Sequence, residues 1–127
     1  MTLSGCLAVA LGGAAGSVAR YAVQHIPALA TDKTWPTVAV NILGCLLIGI
    51  AATVFERRVA DAELRLLCVT GFLGGFTTYS TFMLDAATLL RSGEYRTVAV
   101  YLLVTLAGGF AAFTAGCAGT GKLIERL

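Results

Sequence analysis

Charged residues interrupt this chain at a few places and leave long stretches between them. Residues 1–19, 34–55, 66–84 and 97–121 contain no Asp, Glu, Lys or Arg, giving runs of 19, 22, 19 and 25 residues. Crossing the hydrocarbon core of a bilayer takes about 20 mostly apolar residues at about 1.5 Å each. The pattern predicts an all-α membrane protein with four transmembrane helices, over about 3–26, 36–55, 62–90 and 97–118, in a single transmembrane domain 1–127. Local signals agree with these limits. His25-Ile26-Pro27 closes helix 1, because proline disfavours helical geometry in the residue before it. Trp35-Pro36 opens helix 2, since Trp favours the interface and Pro is tolerated in a first turn. Asp61 and Glu63 suit the N-cap and first turn of helix 3.

Polar and small residues recur on single faces of these helices. Ala8, Gly12, Gly16 and Arg20 are spaced by four on helix 1, a ridge against which another helix can pack closely. Arg20 either pairs inside the assembly or snorkels to the headgroups. Thr37, Asn41, Gly44 and Ile48 share a face of helix 2. The Asn41 amide is costly against lipid and needs partners. It serves either as a helix–helix bond or as a pore-lining donor to a passing anion. Helix 4 carries Thr97, Tyr101, Thr105 and Gly109 at intervals of four. Its tail beyond Ala118 reads as short and at most amphipathic.

Helix 3 contains the least helical stretch of the spans, Gly71-Phe-Leu-Gly-Gly-Phe-Thr-Thr-Tyr-Ser-Thr-Phe82. Gly71, Gly74 and Gly75 permit a turn, and Thr77, Thr78, Ser80 and Thr81 supply hydroxyls that compete with the helical ladder. A break within Gly71 to Thr78 is expected. It would free backbone groups that lipid cannot satisfy, and discontinuous membrane helices aim such carbonyls at cations and such N–H groups at anions. A plain packing kink is the alternative. Tyr79 and Phe82 lie three apart on the second half-helix, placed either for core packing or to turn electropositive ring edges toward an anion. With Thr37, Asn41, Tyr101 and Thr105 they would form a donor-rich track free of fixed carboxylates. Asp85 follows one turn later, at a vestibule or an interface.

Composition narrows the choice of function. The 127 residues are 57% hydrophobic and only 13% charged, against about 25% charged in an ordinary globular domain. A net charge of +2, with no basic cluster longer than Arg57-Arg58, gives no footprint for nucleic acid. The apolar start lacks a basic leader and is read as a retained helix. Cys6, Cys45, Cys68 and Cys117 fall one per helix without metal-ligand spacing, as small apolar packers. Gly116-Cys-Ala-Gly-Thr-Gly-Lys122 lacks the Ser or Thr that a phosphate loop needs after its lysine. Nothing supports an enzyme.

Four spans put both termini on one side, with Arg57, Arg58, Arg65, Lys122 and Arg126 there and Arg20, Lys33, Arg91 and Arg96 opposite. The positive-inside rule orients a chain by its Lys/Arg bias. Five against four gives almost none, so insertion both ways up is expected. Two copies would then pair antiparallel about an axis in the membrane plane. Carbonyls of the two breaks would meet at its centre and could hold a small monovalent cation.

The stretch Gly71 to Phe82 resembles the signature of the CrcB/Fluc family of fluoride channels, in which Phe is usual where this chain has Tyr79. The similarity extends to Gly12-Gly-Ala-Ala-Gly-Ser-Val-Ala-Arg20, to Asn41-Ile-Leu-Gly44 and to Tyr101 with Thr105. It implies a dual-topology antiparallel homodimer in the cell inner (plasma) membrane, with two fluoride pathways along the subunit interface. Fluoride would leave the cytoplasm passively, countering the entry of neutral HF. A structural sodium ion would sit on the backbone carbonyls of Gly74 and Thr77 from both copies. Tyr79 and Phe82 would flank the path, Asn41 would donate to it, and Tyr101 and Thr105 would belong to the helix 4 track. Arg20 would match the helix 1 arginine. Gly109 stands where some relatives carry a hydroxyl. A proton-coupled exporter of cationic compounds is the alternative, yet it wants a carboxylate in helix 1, which has none. A non-transporting assembly subunit is the third reading.

Overall fold

The computed structural model describes residues 2–26, 34–57 and 61–126. Its helices are α1 (Leu3–Gln24), α2 (Trp35–Arg57), α3 (Ala62–Arg65), a π-helix (Leu66–Leu73), α4 (Gly74–Phe76), α5 (Tyr79–Arg91) and α6 (Tyr95–Ile124). The segment Ala62–Arg91 forms one span, so four helical segments among the described residues are long and apolar enough to cross a bilayer. This is a multi-pass, all-α membrane protein. The first connection, with Pro27, Asp32 and Lys33, lies outside the described residues, as does Arg58.

Capping fixes several helix starts. The Thr2 hydroxyl accepts from the Gly5 N–H at 3.2 Å, and the Asp61 carboxylate accepts from the Glu63 N–H at 3.0 Å. Each satisfies a backbone donor that the first turn leaves free. The expected cap at Asp61 is therefore present.

Two pairs of parallel helices make the body. In one, α1 runs alongside the first half of the third span. A Cβ at Gly12 would collide with the Leu67 carbonyl oxygen, one at Gly16 with that of Phe72, and one at Gly75 with that of Gly13. The small ridge read on α1 thus meets backbone directly. In the other pair, α2 packs on α6. A Cβ at Gly49 would strike the Phe113 carbonyl oxygen, and one at Gly108 would come within 2.8 Å of Ile42 Cδ1. Close approach suits a bilayer, where lipid competes for every apolar contact and packing must supply the attraction. Val38, Phe82, Ala86, Leu89, Val98 and Tyr101 form the buried cluster that joins α2, α5 and α6.

The break is shorter and later than the glycine-rich sequence suggests. Gly71 lies within the π-helix and Gly74–Phe76 is helical, whereas Thr77 (ψ 158°) and Thr78 (φ −149°, ψ 110°) are extended. The three glycines therefore do not make the turn; Gly71 and Gly75 admit α1. A further difference is at α6, which runs on through the tail to Ile124. There Arg57 packs near Gly121 and pairs with Glu125 at 3.2 Å, tying the last turn of α6 to the end of α2.

Gly75→Ala is expected to destabilise the protein by about 1–3 kcal/mol, the usual scale of overpacking. Gly119→Ala, whose methyl meets nothing within 4 Å, should leave stability unchanged or slightly raised. Thermal unfolding of the detergent-purified variants checks both.

Candidate functional site

A helix that opens in an apolar environment must find partners for its freed backbone. Here α2 supplies them through one side chain. Asn41 Oδ1 accepts from the Thr78 N–H at 2.9 Å, and its Nδ2 donates to the Thr78 carbonyl oxygen at 3.1 Å. The amide thus replaces both neighbours that Thr78 would have in a sheet or helix. Of the two readings of Asn41, the structure shows the helix–helix bond. One amide hydrogen remains beyond the two contacts, and Asn41 also lines the groove described below.

The hydroxyls complete the local satisfaction. Thr77 Oγ1 donates to the Leu73 carbonyl oxygen at 2.9 Å. Thr78 caps α5: its Oγ1 accepts from the Thr81 N–H at 3.2 Å and donates to Thr81 Oγ1 at 3.0 Å, with Ser80 Oγ 3.4 Å away. Gly44 sits beneath the break, where a Cβ would collide with the Thr77 methyl. The carbonyls of Gly74, Gly75, Phe76 and Thr77 accept no hydrogen bond among the described residues. Of these four residues, Gly74 and Thr77 line the open groove described next.

Beside the break lies an open groove of about 390 Å³. Its walls include Asn41, Thr77 and Thr78, the aromatic pair Tyr79 and Phe82, and Thr105. Tyr79 is 73% exposed, whereas Phe82 is only 4% exposed. Their ring centroids are 5.9 Å apart and tilted, and Phe82 meets Tyr101 at 5.2 Å. The three rings step from the open face of the chain into its core. Such offset, tilted pairs are the arrangements that ring quadrupoles favour. Thr105 Oγ1 donates to the Tyr101 carbonyl oxygen at 2.7 Å, so its hydrogen is committed to its own helix. Gly109 is in the groove wall with Cys45, and a Cβ there would lie 3.2 Å from the thiol sulfur.

The expected carboxylate-free track requires a correction. Asp85 Oδ2 accepts from Thr37 Oγ1 at 2.9 Å and from the Tyr101 hydroxyl at 3.1 Å. A carboxylate therefore joins α2, α5 and α6 at the inner end of the ring series. Two hydroxyl donors on one oxygen compensate part of its lost hydration. A sequence signal exists, because Asp85 follows Phe82 by three and shares its face. Thr37, on the face of Asn41, bonds to this carboxylate rather than standing free in a track.

The remaining candidates lie apart from this groove. Arg20 is half-buried at the far end of α1 and makes no ion pair among the described residues. Gly71 and Gly75 face α1. Among the described residues no group of three His, Cys, Asp or Glu side chains could hold a metal.

Asn41→Ala should strand both the N–H and the carbonyl of Thr78 and destabilise the fold by about 1–3 kcal/mol. Thr88→Ala, which removes only an exposed hydroxyl bonded to the Leu84 carbonyl oxygen of its own helix, should have a far smaller effect. Thermal unfolding of the two variants separates the cases.

Comparison with known proteins adds an independent observation. Residues 7–117 match the family described as CrcB-like protein, Camphor Resistance (CrcB). A Rhizobium etli protein named fluoride-specific ion channel FluC is 46% identical, over 87% of this chain and 90% of its own length. Its namesake from Chlorobaculum tepidum is 42% identical, over 100% of this chain and 98% of its own. That from Maridesulfovibrio salexigens is 40% identical, over 93% and 95% respectively.

Proposed function

The chain belongs to the CrcB family, and from that membership we propose that it is a passive, fluoride-selective channel formed by two inverted copies of itself. The relatives are ion channels by name, so the chain is read as a channel and not as an enzyme. The observation that carries the reading is the half-open groove in which Asn41, Tyr79, Phe82 and Thr105 converge beside the break.

Each copy presents one such groove, so a pair has two pathways. Fluoride is small and strongly hydrated, and a path through the bilayer must replace its water with other donors. The remaining hydrogen of the Asn41 amide and the ring edges of Tyr79 and Phe82 provide partially positive surface along the wall. Asn41 and Thr78 keep each other in place, which fixes that surface before the anion arrives. The second copy closes the groove and excludes lipid from it. Asp85 holds Thr37 and Tyr101 so that Phe82 is backed by an ordered ring. Because α1 has no carboxylate, proton-coupled exchange of cations lacks the group it needs there.

A structural sodium ion fits the groups left over by the break. The carbonyls of Gly74 and Thr77 are without hydrogen-bond donors among the described residues, and hard oxygen ligands suit such a cation. Two carbonyls from each copy would hold it. When bound, the ion would neutralise converging carbonyl dipoles at the centre of the pair, while this chain's residues alone line the anion path. The cell inner membrane is the proposed site of action, where passive efflux counters the fluoride that HF entry leaves in the cytoplasm.

Purified protein in liposomes is expected to release internal fluoride quickly and chloride negligibly, as read by ion-selective electrodes. Equal release of both anions, or release of neither, would contradict the proposal.

A further inference from the structure

The contact between α1 and the third span has an uneven pitch. Gly12 faces the Leu67 carbonyl and Gly16 faces the Phe72 carbonyl. A step of four on α1 is thus matched to a step of five on its neighbour. In an α-helix, residues are about 100° apart, so two carbonyls five positions apart would point about 140° away from each other. They face one helix here because Leu66–Leu73 is π-helical, with rings that enclose one more residue. The approach is backbone to backbone: an added Cβ at Gly12 would lie 2.9 Å from the Phe72 nitrogen, and one at Gly16 would lie 2.9 Å from the Phe76 nitrogen. Gly13, between them, has room for a methyl, its nearest neighbour being the Gly71 oxygen at 3.9 Å.

We infer that Gly12 and Gly16 are positioning residues for the groove. By seating α1 against the wide turn they hold the π register, and this register decides which residues after Leu73 face α2. If the same sequence relaxed to an α-helix, everything beyond the turn would rotate by about 100° relative to α1. Thr78 would then leave Asn41, and Gly74 and Thr77 would leave the groove they now line. The inference rests on the channel reading for its effect on fluoride, but not for its effect on register.

One deletion distinguishes register from simple packing. Thr70 is exposed within the π-helix, and removing it turns the five-residue step into a four-residue step that an ordinary α-helix satisfies. Gly16→Ala should cut fluoride efflux from liposomes roughly 100-fold, the scale expected when a positioned group shifts by about 1 Å. It should also speed hydrogen exchange at the Thr78 amide, followed by NMR. Gly13→Ala should change neither. Deleting Thr70 alone should preserve slow exchange, and deleting it in the Gly16→Ala background should restore both slow exchange and efflux, which a mere packing defect would not allow. Loss of Thr78 protection in the Thr70 deletion, or no recovery in the double variant, would overturn the inference. Should Gly16→Ala fail to fold, Gly13→Ala and the Thr70 deletion decide the matter by the same exchange measurement. Should the unaltered protein pass no fluoride, the channel reading falls while Thr78 exchange still tests the register.

Discussion

An extended backbone in the middle of a membrane span is tolerable only where other groups replace the missing helical bonds. The rest of this structure follows from how Thr77 and Thr78 meet that requirement. Asn41 gives both halves of its amide to Thr78, and the two threonine hydroxyls return to Leu73 and Thr81. Gly74 and Thr77, whose carbonyls accept no hydrogen bond among the described residues, line the open groove. In the proposed pairing, a second, inverted copy and a shared cation would supply what a single chain leaves incomplete. The same pairing would close the groove that begins at these residues.

The break is held from three sides. Gly12 and Gly16 let α1 seat on the first half of the third span, while Gly44 leaves space for the Thr77 methyl. On the second half, Phe82 and Tyr101 pack together, and Asp85 fastens Thr37 and Tyr101. Gly44, Thr77 and Phe82 thus belong both to this support and to the wall of the groove. For a small anion that must lose water to pass, a wall fixed in advance avoids reorganisation during transit.

Much of this was legible in the sequence, for identifiable reasons. Four spans follow from the spacing of charges alone, and the pairing need of Asn41 follows from an amide in an apolar helix. The break falls inside the expected stretch but at its threonine end, because glycine has two uses. Sequence points to its backbone freedom, yet Gly71, Gly74 and Gly75 keep helical geometry, and Gly93 in the α5–α6 turn is the described glycine with positive φ, at 76°. What Gly71 and Gly75 supply is the absence of a side chain facing α1. The π-helix leaves no signal in an almost uniformly apolar run, since periodicity needs polar positions to be seen. The bonds of Asp85, expected at a vestibule or an interface, are not legible in sequence because both partners come from other helices, and α6 runs past its expected end to a last turn that lies beside Arg57 on α2.

The central claim is that one chain is half of a channel and that its partner is inverted. Labelling with a membrane-impermeant thiol reagent tests it most directly, using a single reporter at Ser92→Cys in the α5–α6 turn of a protein lacking its four native cysteines. The account predicts that the reporter is reached from both sides of the membrane, in comparable amounts. Labelling from one side only would contradict it.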